Sequence, residues 1–434
     1  MTEPRRRSVM ALALVAAVAL AACTSAAPRP SGTGNAQIPQ PDVGDIAVAD
    51  AADRVDLAMP TFTHPTQITN PLFPVAPDSA ALLVGTVEGQ AFRTEVTVLP
   101  TTRLMVWEGQ QVETVVSQYV AFLDGRIHEV AYDLYAQADD GSVWYFGEDV
   151  FNFADGAIAD THGTWHAGID GPAAMIMPAD PAAGDVYRPE NIPGLVFEEV
   201  VVQATDQSVH GPFGTVSGAI VVEEHHMDGS TEQKTFAPGY GEFFTDADGD
   251  VEALALAVPV DAGDGAAPAA LDRLRDAASA AVDAAVADDA DALATAAAEA
   301  RAARAELGDD QVPAELRPLL DAAIAAVEDG DPDAALTLGR LAGDLRLRYE
   351  PVNRVDLSRI GLWGAQLVLD ARAEDLDGVR ADTFALRYTS ERLAPGELPA
   401  ELNATLEELQ GAIDGEEFDA IADLGERVRE LTGS

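Results

Sequence analysis

The sequence predicts a multidomain β + α protein: an antiparallel β barrel or half-barrel, then an all-α domain made by duplication of a four-helix unit. Three observations carry this. Between residues 46 and 260 apolar and polar residues alternate with period two, and Asp-Gly dipeptides punctuate the runs. From residue 268 the composition shifts to Ala, Leu, Asp, Glu and Arg, with apolar residues at helical spacing. Within that second stretch an internal repeat recurs at an offset of 86 residues.

The chain opens Met-Thr-Glu-Pro-Arg-Arg-Arg, runs through apolar residues from Val9 to Ala22 and reaches Cys23, the only cysteine. A basic start, a short apolar core and small residues before a cleavage point read as a secretory signal peptide over residues 1–23. The string Leu20-Ala21-Ala22-Cys23 resembles the bacterial lipobox. That resemblance implies a diacylated Cys23 as the mature N-terminus, and a lipoprotein held at the extracytoplasmic face of the cell membrane. The alternatives are a plain signal peptide or an anchor helix, and the run is short for a span. Residues 24–45 are rich in Pro, Gly, Ser and Ala, which suits a flexible linker.

The β region, residues 46–260, shows its alternation in Ala91–Leu99, Val112–Phe122 and Gly194–Gln203. Turns are marked at Asp124-Gly125, Asp140-Gly141, Asp155-Gly156, Asp228-Gly229 and Asp248-Gly249. No helix-length period separates the runs, which disfavours a parallel sheet with crossover helices. The expectation is a meander of about ten strands, closed into a barrel or curled as a half-barrel.

Two helical units follow, 268–349 and 354–434. Val312-Pro-Ala-Glu-Leu316 recurs as Leu398-Pro-Ala-Glu-Leu402, and the same offset carries Asp291 onto Asp377, Arg301 onto Arg387 and Leu338-Gly339 onto Leu424-Gly425. Pro313 and Pro399 suit the first turn of a helix, where a missing N–H is harmless. Helix pairs at this spacing fit either two four-helix bundles or a short solenoid.

Charge narrows the function. With 74 acidic against 26 basic side chains the net charge is −48, which disfavours binding to nucleic acid or to anionic headgroups. A lone cysteine excludes an internal disulfide framework and Cys-built zinc sites. Neither a Gly-x-Ser-x-Gly elbow nor a phosphate loop is present, so a non-enzymatic protein with no cofactor is expected.

The candidate metal residues are Glu223, Glu224, His225 and His226. On a strand Glu224 and His226 share one face and Glu223 and His225 the other, with Glu232 in reach across a hairpin. The competing reading is a solvated strand end. His162 and His166 offer two more imidazoles four residues apart. Asp246-Ala-Asp-Gly-Asp250 opens like a calcium loop but continues with Val251 and Ala257 where that loop needs Gly and Glu, so it reads as a hairpin turn. Trp144, Phe146, Trp165, Tyr187 and Tyr240 are either core or the lining of an apolar ligand cavity.

The ordered series Ile68-Thr-Asn-Pro-Leu-Phe-Pro74, Trp144-Tyr-Phe-Gly-Glu-Asp149, Trp165, Ala167-Gly-Ile-Asp-Gly171, Gly184-Asp-Val-Tyr-Arg188 and Ala237-Pro-Gly-Tyr-Gly241 resembles a family of secreted bacterial β-proteins and lipoproteins with no assigned activity. The last of these stretches is loosely similar to half-barrel lipoprotein carriers. The resemblance spans residues 66–258 and brings no catalytic residues with it. The expectation is a membrane-tethered binding lipoprotein for an apolar or amphipathic small molecule or an envelope protein. The alternatives are metal binding through the His225/His226 strand and a structural envelope scaffold.

Overall fold

A computed structural model describes residues 48–77 and 79–433, so the signal peptide, Cys23 and the linker lie outside the described residues. The chain first builds β1 (Ala80–Val87), β2 (Gln90–Trp107), β3 (Gln110–Leu123), β4 (Arg126–Gln137), β5 (Val143–Ala154) and β6 (Ala157–Asp160). Three short strands come next: β7 (Trp165–His166), β8 (Ala174–Met177) and β9 (Val186–Ile192). The set ends with β10 (Val196–Gly211), β11 (Gly214–His226), β12 (Thr231–Ala237), β13 (Gly241–Ala247) and β14 (Asp250–Val258).

These form one antiparallel sheet in the order β6-β5-β4-β3-β2-β1-β14-β13-β12-β11-β10-β9, with β7 and β8 both on β5. Two meanders are therefore sewn together along one long-range seam, β1 against β14, from Ala80↔Val258 to Thr86↔Val251. The turns are built as their residues demand. Asp124, Asp155 and Asp248 and the glycines after them all take positive φ, the geometry of a tight hairpin turn that follows the strand twist.

One expectation is corrected and one alternative falls away. The sheet has fourteen strands rather than about ten, and of the barrel and half-barrel the closed barrel is excluded, because the sheet is open. Its ends explain this: β6 is only four residues long, and the far edge of β5 is taken by β7 and β8. Short, blunted edges leave no ladder for closure. Bulges in β1, β2, β4 and β10 let the open sheet curl.

Eight helices follow: α1 (Ala269–Ala287), α2 (Ala290–Arg304), α3 (Leu316–Glu328), α4 (Pro332–Arg346), α5 (Val352–Arg372), α6 (Leu376–Glu391), α7 (Ala400–Asp414) and α8 (Phe418–Thr432). The offset of 86 lays the start of α2 on that of α6 and the start of α4 on that of α8. Even a cap is repeated: Asp289 accepts from the Ala292 N–H and Asp375 from the Gly378 N–H, each at 3.0 Å. In each unit the first helix packs on the second and the fourth, and the third packs on those same two, so four helices ring one core. None of the described helices is long and apolar enough to cross a membrane.

The helices cover one face of the sheet. Val120, Phe122, Ile127, Val130 and Phe153 pack against Ile360, Trp363, Leu367, Val379 and Leu386. Phe122 and Trp363 stack with ring centroids 5.5 Å apart. Beside them lies a buried ionic network in which Arg93, Arg359 and Arg392 meet Glu95, Asp344 and Asp356. Strand alternation sends the other set of side chains to the opposite face, and there the curl encloses a cavity.

Candidate functional site

The cavity holds about 570 Å³ and is lined from β1 to β5 on one side and from β8 to β14 on the other. Its apolar lining includes Leu83, Phe92, Val96, Val98, Val222 and Phe236. Each sits at an inward parity of its strand. The polar lining is rich in acids: Glu129, Asp133, Glu198, Glu224, Glu232, Glu242 and Glu252 share it with Lys234, the only lysine in the chain. Tyr119, Tyr135, Tyr145, Tyr187 and Tyr240 add hydroxyls.

A surplus of enclosed carboxyls has an electrostatic consequence. Burial, with Asp133 adding to it, pushes Glu129 up to about 7. Burial raises Asp133 itself to about 6, against hydrogen bonds from Tyr145 and Tyr135. Glu252 rises to about 7 through burial and the charge of Glu242. Beyond the cavity wall Glu148 of β5 and Glu190 of β9 lie close together, and burial and mutual repulsion push Glu148 well above the carboxylate range. That contact shows how far the sheet curls, since β5 and β9 lie at opposite ends of its strand order.

The Glu-Glu-His-His stretch divides by parity. Glu223 and His225 face out, with His225 Nε2 3.0 Å from Glu223 Oε1 and both half exposed. Glu224 and His226 face in, where register sets Glu198 of β10 opposite His226 and Glu232 of β12 opposite Glu224. His226 Nδ1 lies 3.2 Å from Glu198 Oε1, and His226 Nε2 lies 3.6 Å from Glu232 Oε2. Lys234 Nζ is 2.6 Å from Glu224 Oε2 and 3.5 Å from Glu232 Oε2. Although burial opposes it, the adjoining carboxylates of Glu198 and Glu232 lift His226 to about 10. Against the same burial, His226 and Lys234 hold Glu232 down at about 2.

The five aromatic candidates separate as well. Tyr187 and Tyr240 line the cavity, and the Tyr240 hydroxyl donates to Asp261 Oδ1 at 2.8 Å. Trp144 and Phe146 face away, packed with Trp107, and the Trp144 indole donates to Ser142 Oγ at 2.9 Å. Trp165 is buried beside Tyr145, and its Nε1–H donates to Glu190 Oε1 at 3.1 Å. His162 and His166 keep separate partners, with His162 exposed beside Asp160 and His166 Nε2 2.9 Å from Asp149 Oδ1. Asp246–Asp250 forms the β13–β14 hairpin, where Asp250 Oδ1 accepts from the Glu88 N–H at 2.8 Å.

Sequence reasoning missed Glu198, Lys234 and the Glu129/Asp133 pair. The signal for the last was present, because Glu129, Asp133 and Tyr135 share one parity within an apolar strand. The chain matches no family model, no curated protein and no solved structure.

Proposed function

We propose that this chain is an extracytoplasmic lipoprotein, tethered through Cys23, that binds an amphipathic small molecule in the cavity of its curled sheet and performs no chemistry on it. The observation that carries the reading is the cavity itself: about 570 Å³, lined by both apolar side chains and carboxyls. A purely apolar ligand would leave those carboxyls desolvated without partners. A molecule with an apolar body and a cationic or donor-rich end would satisfy both kinds of lining. The helices support the reading indirectly, since they cover the other face of the sheet and leave the cavity side to a ligand.

Native mass spectrometry of the exported protein, residues 45–434, prepared gently and without chelator, tests this. A retained mass matching an amphipathic small molecule is expected. A bare polypeptide mass, together with no uptake of cationic amphiphiles or hydrophobic dye, would overturn it and shift weight to an envelope scaffold. The anchor has its own test: Cys23→Ser should release the protein from the membrane fraction.

A further inference from the structure

We propose that Glu198, Glu224 and His226 form a divalent-cation site in the cavity wall, with Glu232 positioned as a fourth ligand. One ligand atom from each of the first three lies within 4.8 Å of the other two. A metal about 2.0–2.2 Å from each nitrogen or oxygen ligand needs only small side-chain rotations from that arrangement.

The scaffold is a rigid one. Glu224 and His226 are two residues apart on β11, and Glu198 is the direct cross-strand partner of His226 on β10. Three ligands therefore arise from two neighbouring strands whose register the ladder fixes. Glu232 enters from β12 as the cross-strand partner of Glu224. One imidazole with two or three carboxylates is an oxygen-rich, borderline-hard set, suited to zinc or manganese rather than to copper(I).

A second observation points the same way. Glu224 is only 3% exposed, and the Lys234 ammonium sits 2.6 Å from its Oε2. The His226 ring lies between Glu198 and Glu232, 3.2 Å from Glu198 Oε1 and 3.6 Å from Glu232 Oε2. These carboxylates thus already gather positive charge inside the wall, where a buried carboxylate needs a cationic partner. Lys234 is the resident counter-charge that a metal would displace.

The outward pair of the same strand supplies the control. Titration calorimetry of the full mature protein, stripped of metal and supplied with zinc or manganese chloride alone, should show one site of micromolar affinity or better. Glu198→Gln and His226→Gln should each weaken it about tenfold or more, whereas Glu223→Gln and His225→Gln should leave it unchanged. Lys234→Met should tighten it, because a competing cation is removed. An X-ray absorption spectrum of the zinc-loaded wild type needs no variant to fold, and one imidazole among oxygen ligands is expected. No binding by the wild type, equal loss in the outward variants, or two imidazoles on the metal would each overturn the site.

Discussion

The Arg392 guanidinium, just beyond the end of α6, donates to Glu95 Oε2 on β2 at 2.6 Å, with both side chains buried between helices and sheet. Burial alone would raise Glu95, yet Arg359, Arg93 and Arg392 hold it well below the usual carboxylate range. Removing one partner of such a pair leaves a buried charge short of compensation. Arg392→Met should therefore cost about 3 kcal/mol, read from urea unfolding. Because the network spans both regions, tryptophan fluorescence and far-ultraviolet dichroism should report one transition at one midpoint. Two separated midpoints in the wild type would show that the sheet and the helices unfold independently.

Close helix crossing gives a prediction of opposite sign at two glycines. A methyl at Gly425 of α8 would sit 2.7 Å from the Gly364 carbonyl oxygen of α5 and 2.9 Å from Val368 Cγ2. Those are backbone and packed atoms that cannot easily yield, so Gly425→Ala should destabilise by about 1–3 kcal/mol. At Gly411, exposed on α7, a methyl meets nothing within 4 Å. Gly411→Ala should stabilise by about 0.5–1 kcal/mol. Thermal melts of the two variants check both directions.

What was legible follows from what is local. Asp124-Gly125 and Asp248-Gly249 announce their hairpins because both residues tolerate positive φ. Glu88-Gly89 and Glu108-Gly109 make turns of the same kind and escaped notice, since glutamate is no turn former; Glu88 takes φ 51° and Glu108 φ 50°. That helps explain an expected count below the fourteen strands formed. The helical duplication was readable because the offset of 86 is preserved down to the caps at Asp289 and Asp375. At the site, parity alone separated Glu224 and His226 from Glu223 and His225. Which pair faces inward depends on the curl, and Glu198 enters only through the β10–β11 register, a non-local fact.

Stability should fall as pH rises from about 5 to 8. Glu129 and Glu252 are pushed up to about 7 and Asp133 to about 6, each chiefly by burial. Between their unfolded values near 4 and these, the native state holds protons that the unfolded chain has released. The unfolding free energy therefore declines with rising pH across that window. On the acid side Asp139, held down by Thr61 and Thr63, and Asp228, held down by Ser230, have low native pKa values. Their contribution is present above the unfolded value and is lost as pH falls below about 4. The melting temperature should peak near pH 5, and Glu129→Gln, which keeps the shape without the titration, should flatten the alkaline arm. A melting temperature that climbs steadily from pH 5 to pH 8 would contradict the assignment.

Shape and charge in the cavity can be separated by two variants. Val96 lies on β2 in the cavity lining, between Thr94 and Val98, which also line the cavity. Its side chain is only half buried because it borders the open volume rather than packed neighbours. Val96→Trp should fill that volume without disturbing the helix-covered face, and so remove uptake of neutral and cationic amphiphiles alike. The melting temperature should change little, because no packed neighbour has to move. Asp133→Asn combined with Glu129→Gln keeps the volume and removes two acids from the lining. Cationic amphiphiles should then bind about tenfold more weakly, the loss of roughly 1.4 kcal/mol of attraction, while neutral ones bind as before. Fluorescence titration with a matched pair of neutral and quaternary-ammonium probes distinguishes the cases. Equal weakening of both probes by the charge variant would mean that the carboxyls support the cavity's shape rather than recognise a cation. Undiminished binding to Val96→Trp would put the ligand somewhere other than the curl of the sheet.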